Sequence, residues 1–215
     1  MPSRSLTLTA AVIAGLALPG CKIVRTADVQ AGQDQAAAAF DPDRMVADLW
    51  DAKLVPYFEG KAKPFAEVIA AVRGNPDEAG RQYGYREQPN APWTYMAMVK
   101  GRIVSADTGT RAATVGVDTD GDGKADVTVQ IGPVIRGTVL RDALDFVTFN
   151  SFTDQTAFAR FGKAFNTYVD RQSLSKLPRE GLVGRSLTVT GAFPPPKPGE
   201  APLLTPALIS LDPAS

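Results

Sequence analysis

The sequence predicts an α+β protein in which a small helical subdomain, residues 40–84, precedes a five-stranded β-barrel within residues 95–212. Three observations lead there. Apolar residues recur at helical spacing up to Gly84, they alternate at strand spacing from Val99 to Ile131, and the rest of the chain reads as one helix followed by two strands.

The chain opens with one basic residue, Arg4, then an uncharged run from Leu6 to Leu18, then Leu18-Pro19-Gly20-Cys21. A basic start, an apolar stretch and a small residue at the end mark residues 1–20 as a secretory signal. As a helix the run is roughly 20 Å long, short of the ~30 Å hydrocarbon core, so it is expected to be removed and not to span. Gly20 followed directly by the only cysteine of the chain resembles the lipobox of bacterial lipoproteins, in which the Cys thiol takes up a diacylglycerol. Cys21 is therefore the expected lipidation site, and its acyl chains would hold the protein in the lipid bilayer on the periplasmic face of the inner or the outer membrane. Residues 21–39 are polar and Ala/Gln-rich and read as a flexible tether.

Composition narrows the chemistry. Removing Arg4 with the signal takes the basic count from 23 to 22 against 23 acidic residues, so no broad basic face is implied and nucleic acid is not an expected partner. There is no histidine, and acylation would use up the one thiol. Disulfides, zinc sites, thiol catalysis and Ser-His-Asp arrangements are thereby excluded, and carboxylate, Lys, Tyr or Ser chemistry remains. A non-enzymatic role is expected.

The helical elements begin at Asp41-Pro42, an N-cap and first-turn proline, after which Val46, Leu49, Trp50 and Leu54 come at helical spacing to an end near Pro56. Phe65, Val68, Ile69 and Val72 form a second helix after Pro64, and Asn75-Pro76-Asp77-Glu78 starts a third that Gly84 closes. A region this short makes a marginal core, so Trp50 and Phe65 are expected to pack on the later part of the chain.

Three strands come next. Val99, Gly101 and Ile103 share one face, Ala113, Val115 and Val117 another, and Val127, Val129 and Ile131 a third. A short strand is expected at 146–149, then a helix of about 153–171 capped by Thr153, whose stripe of Phe158, Phe161, Phe165 and Tyr168 suits core packing. Ser186–Phe193 and Leu203–Leu211 are the closing strands. Three strands, a helix and two strands is the order of an OB-fold, and Gly101 would allow the bend its first strand needs; a sandwich or another small barrel would fit the same pattern.

Chemistry concentrates in Asp118-Thr119-Asp120-Gly121-Asp122-Gly123-Lys124-Ala125-Asp126. Carboxylates at loop positions 1, 3, 5 and 9, glycine at 6 and the Lys124 carbonyl at 7 match a Ca²⁺ loop. Position 12 is Val129 where an EF-hand needs a bidentate Glu, and strands flank the loop, so the expectation is a strand-flanked Asp-Gly calcium loop; a plain hairpin turn is the alternative. Arg136, Arg141, Asp142 and Asn150 are candidate ligand-binding residues, although pairing of Arg141 with Asp142 or Asp145 would explain them as structure. Tyr83-Gly84-Tyr85-Arg86, with Trp93 and Tyr95, could stack on a sugar ring or serve as mortar between subdomains.

Taken together, Cys21-Lys22-Ile23-Val24, Phe40-Asp41-Pro42, Leu49-Trp50-Asp51, Gly116 to Asp126, Ile131-Gly132-Pro133-Val134-Ile135-Arg136-Gly137-Thr138, Leu140 to Leu144 and Phe149 to Thr153 resemble the DUF2291 family of predicted periplasmic lipoproteins, most specifically over Ile131 to Asp142. The resemblance assigns no catalytic residues. Its members are often encoded beside sugar ABC transporters, which implies an accessory role with the transporter or its solute-binding protein. Two other classes stay open: an envelope structural or assembly lipoprotein, and a carboxylate-dependent hydrolase using Asp120, Asp142 or Asp145.

Overall fold

The computed structural model describes residues 40–212, so the signal 1–20, the lipidation site Cys21 and the tether 21–39 lie outside the described residues. Helix α1 (Pro42–Leu49) starts where expected, with the Asp41 carboxylate accepting from the Arg44 N–H at 3.0 Å. It does not stop at Pro56. A π turn, Trp50–Leu54, leads into α2 (Val55–Lys61), and the Val55 N–H bonds the Trp50 carbonyl five residues back. That wider turn opens the hydrogen-bond ladder just where a proline lacks a donor and would crowd the carbonyl four residues earlier. It also keeps Val46, Trp50, Leu54 and Phe58, spaced by four, on one buried side.

Helices α3 (Phe65–Gly74) and α4 (Pro76–Tyr83) come next, the second capped by Asn75, whose side chain accepts from the Glu78 N–H at 3.2 Å. Two short strands, β1 (Lys63–Pro64) and β2 (Gly84–Tyr85), attach them to the first long strand, β3 (Thr94–Asp107). The barrel is completed by β4 (Thr114–Asp118), β5 (Val127–Gln130), β6 (Ser186–Phe193) and β7 (Leu203–Leu211).

Closure depends on β3. Its first half, Tyr95 to Arg102, runs antiparallel to β6, and its second half, from Arg102 to Asp107, runs antiparallel to β4. From β4 the pairing passes to β5 antiparallel, to β7 parallel and back to β6 antiparallel, so these five strands close a mixed barrel with no free edge among them. A bulge between Ile103 and Ser105 turns β3 from one partner to the other. Gly101 is needed there for a closer reason than flexibility: a Cβ on it would lie 2.2 Å from the backbone carbonyl of Asp118.

The helical region has no core of its own. Phe65, Val68, Ile69 and Val72 plug the barrel, packed with Val99, Val117, Val129 and Phe193. Val46, Trp50, Leu54 and Phe58 instead meet α5 (Val139–Asp142) and α6 (Gln155–Gln172) in a second core on the barrel's outside. The aromatic stripe of α6 forms that core: Trp50 lies 6.2 Å edge-on from Phe165 and 5.0 Å from Tyr168, and Phe161 and Phe165 are fully buried.

Two expectations are corrected. The cap of α6 is Asp154, which accepts from the Ala157 N–H at 2.8 Å, while Thr153 only turns its hydroxyl toward Asp154. The segment expected as a strand at 146–149 is coil leading to a single 3₁₀ turn, Phe149–Ser151. A closed barrel offers no edge to pair with, and Phe146 packs 5.1 Å from Tyr57 instead.

Candidate functional site

The β4–β5 loop is organised by its own carboxylates. Asp118, at the end of β4 and 6% exposed, accepts through Oδ1 from the N–H groups of Asp120 (3.1 Å) and Gly121 (2.7 Å), and through Oδ2 from Gly123 (2.8 Å). Gly121 and Gly123 adopt φ of 88° and 84°, a left-handed backbone that other residues resist, and this aims their N–H groups inward. Asp126 closes the loop by accepting from the Thr119 N–H at 2.8 Å and hydroxyl at 2.7 Å. The N–H groups of Gly121 and Gly123 hold the Asp118 carboxyl below its ordinary 3.8, although burial works against them.

One carboxylate oxygen from each of Asp118, Asp120 and Asp126 lies within 4.8 Å of the others. Asp122 does not join them: it accepts from the Lys124 N–H at 2.7 Å and pairs with the Lys124 ammonium at 3.7 Å. Three hard oxygen donors of this kind form a group that could hold a metal ion.

The other candidates separate. Arg141, on α5, is 13% exposed and engaged on every side. Its Nε and Nη2 both donate to Asp142 Oδ1 (2.9 and 2.6 Å), Nη1 donates to the Phe158 carbonyl at 3.3 Å, and the guanidinium stacks 3.8 Å over the Phe158 ring. Thr138 donates its hydroxyl to Asp142 Oδ2 at 2.7 Å. Arg141, Asp142 and Phe158 form one wall of a 260 Å³ cleft whose other wall is Tyr85, Arg86 and Glu87, two sequence-distant candidate stretches that the fold brings together. Arg136 and Asn150 are exposed and do not line it; the backbone of Arg136 is clasped by the buried Gln130 amide. Trp93 donates to Asp77 at 3.2 Å beneath Arg86, and the fully buried Tyr95 donates to the Pro76 carbonyl at 2.9 Å, so both aromatics join helices to barrel. Asp145 pairs with Lys61 at 3.3 Å, and its backbone N–H donates at 3.2 Å to the Tyr57 hydroxyl, whose pKa burial pushes up.

The family described as predicted periplasmic lipoproteins, DUF2291, matches residues 11–210, which take in Cys21, the aspartate loop and both closing strands. The chain belongs to this family. Membership makes the protein a predicted periplasmic lipoprotein with a lipid anchor. Comparison with curated proteins gives no match. Among solved structures, the crystal structure of an OB-fold protein from Thermotoga maritima is similar with a TM-score of 0.65 at 19% identity, covering 81% of this chain and 99% of that one. At that identity the likeness speaks for the fold, and it agrees with the strand order: the barrel is an OB-fold.

Sequence reasoning did not find the pair Gln130 and Thr205, joined at 2.7 Å inside the barrel wall, nor the polar face where Arg111 meets α6. Neither leaves a local signal, since each assembles from residues far apart in the chain.

Proposed function

We propose that this protein is a non-enzymatic binding module, tethered by Cys21 to the envelope membrane, that serves as an accessory to a sugar ABC transporter or its solute-binding protein and holds Ca²⁺ in the Asp118–Asp126 loop. The observation that carries the reading is the combination of an OB-fold barrel with a family of lipoproteins: the fold offers loops for recognition and the anchor fixes them at a membrane surface. The transporter half comes from the genomic company of the family. A non-enzymatic role is supported by the state of the carboxylates that a hydrolase would need. Asp142 is committed to Arg141, Asp145 to Lys61, and Asp120 accepts from the Asp122 N–H and converges with Asp118 and Asp126, whereas a glycosidase needs two carboxyl groups facing each other across a cleft about 5–9.5 Å apart. Calcium is supported by the convergence of Asp118, Asp120 and Asp126.

The test is capture of the full-length lipidated protein from native membranes under mild crosslinking. Enrichment of a transporter subunit or solute-binding protein is the expected result. Enrichment of envelope assembly proteins alone would replace the reading with the structural one, and hydrolysis of a glycoside panel that Asp142→Asn abolishes would replace it with an enzyme.

A further inference from the structure

Four phenylalanines come to the surface at one place. Phe40 meets Phe152 edge-on with ring centroids 5.6 Å apart, Phe152 lies 5.3 Å from Phe158, and Phe158 lies 5.8 Å edge-on from Phe149. Phe40, Phe152 and Phe158 are half-buried and Phe149 is 42% exposed. The α6 stripe, fully buried at Phe161 and Phe165, thus emerges toward solvent at Phe158.

The most exposed of these rings is held out by its backbone. The Phe149 N–H donates to the Glu87 carboxylate at 2.8 Å, the Ser151 and Phe152 N–H groups donate to the Thr148 and Phe149 carbonyls at 3.0 Å, and Thr148 and Ser151 form a capping box around the 3₁₀ turn. Contiguous apolar surface of this kind is where folded domains meet a partner or a membrane. Charge around the rings is mixed. Arg160 and Arg141 lie over Phe40 and Phe158, at 5.8 and 3.8 Å, while Asp41 and Asp154 cap the adjoining helices, so this face offers aromatic area and not a net charge.

The position of the anchor selects the occupant. Phe40, the first ring of the patch, comes nineteen residues after Cys21, so the intervening chain spans at most about 65 Å whatever path it takes. The lipid-bearing chain enters the folded part at the patch itself, and the bilayer is presented to this face at the high effective concentration of a tethered pair, where a weak contact suffices. We infer that the face formed by Phe40, Phe149, Phe152 and Phe158 docks on the periplasmic surface of the membrane that carries the Cys21 lipid, with the Phe149 ring entering the boundary between headgroups and acyl chains. Because Phe158 and Arg141 also wall the 260 Å³ cleft, docking brings that cleft beside the bilayer. The inference rests on the lipid anchor and not on the transporter partner proposed above.

The test is spin-label accessibility on the full-length lipidated protein in vesicles of phosphatidylethanolamine and phosphatidylglycerol. Acylation blocks Cys21, so a cysteine introduced by Asn150→Cys, next to Phe149, or by Val183→Cys is labelled alone. Val183, in the connection from α6 to β6 and 60% exposed, controls for apolar exposure by itself. The ratio of collisions with oxygen, which concentrates in lipid, to collisions with a water-soluble nickel chelate is expected to be several-fold higher at Asn150 than at Val183. Phe149→Asp should bring the Asn150 ratio down to the Val183 value, with a melting temperature in detergent close to that of the parent, since the ring is largely outside the core. Flotation with the vesicles reports the anchor separately, and protein that fails to float overturns the proposal together with the anchor. Equal ratios at the two sites in floating protein would overturn the docking alone and leave the face to a protein partner. An Asn150 ratio insensitive to Phe149→Asp would also overturn it, as would protection that grows with the protein-to-lipid ratio, the sign of a second copy covering the face.

Discussion

Gly101 sits where β3 leaves β6 and takes up β4, and the space available to it is set by the backbone of Asp118, the first residue of the aspartate loop. A side chain there has to displace main chain instead of another side chain, so Gly101→Ala should cost about 1–3 kcal/mol, toward the upper end, measured by denaturant unfolding. A loss under a few tenths would mean the two strands yield freely at that point. Asp118 contributes in a pH-dependent way. Its folded-state pKa lies below the ordinary value of 3.8, so its stabilisation is present at neutral pH, begins to fade as pH falls past that ordinary value, and is gone below the folded one. Asp118→Asn should lower the melting temperature at pH 7 and flatten the acid limb of its pH profile; parallel acid limbs in the two proteins would contradict this. Calcium should act through the same loop. A dissociation constant of ~10⁻⁴ to 10⁻³ M, as for extracellular modules, gives about 1.4 kcal/mol at tenfold excess and a rise of a few degrees in melting temperature. Asp120→Ala should abolish the rise, and magnesium should reproduce it poorly. Identical melting curves in chelator and in millimolar Ca²⁺ would leave the loop a plain turn.

Among the elements, the barrel strands were legible because each has one face in the core and one toward solvent or helix, which writes a period of two into residues such as Val127, Val129 and Ile131. The aspartate loop was legible because all its donors lie within nine consecutive positions, from Asp118 to Asp126. Elements set by distant partners were not. Pro56 reads as a stop, yet the π turn carries the helix past it because Phe58 gains a place in the core against Phe165, with ring centroids 6.2 Å apart. Phe146 and Val147 read as strand, yet barrel closure had used every edge and left them to pack beside α2 and α6. The polar face where Arg111 meets α6 was invisible for the same reason. Because α1, the π turn and α2 are held chiefly by the α6 stripe, Phe165→Ala should cost about 3–5 kcal/mol and loosen residues 42–61 preferentially in hydrogen exchange. Uniform loosening that includes the barrel strands equally would show that the outer core and the barrel unfold as one unit.

On the scale of the whole molecule, the helices divide their work: α3 and α4 seal the barrel while α1 and α2 clasp α6, so both cores rest on the same sheet and neither is expendable. The aspartate loop lies mostly on a connection of this frame, whereas the clefts are walled in part by α5 and α6 and by the core residues Leu144 and Val147. Cys21→Ser should abolish incorporation of labelled palmitate and processing at that site, because the chain has no second cysteine; label entering the variant would place the anchor elsewhere. The central claim, a membrane-tethered module that works through a partner, is tested most directly by crosslinking mass spectrometry in intact cells expressing the wild-type protein. The account predicts crosslinks from the barrel's surface lysines to a component of one solute transporter, lost or strongly reduced in Cys21→Ser at equal expression. Crosslinks confined to envelope assembly proteins, or a transporter crosslink that persists undiminished without the anchor, would contradict it.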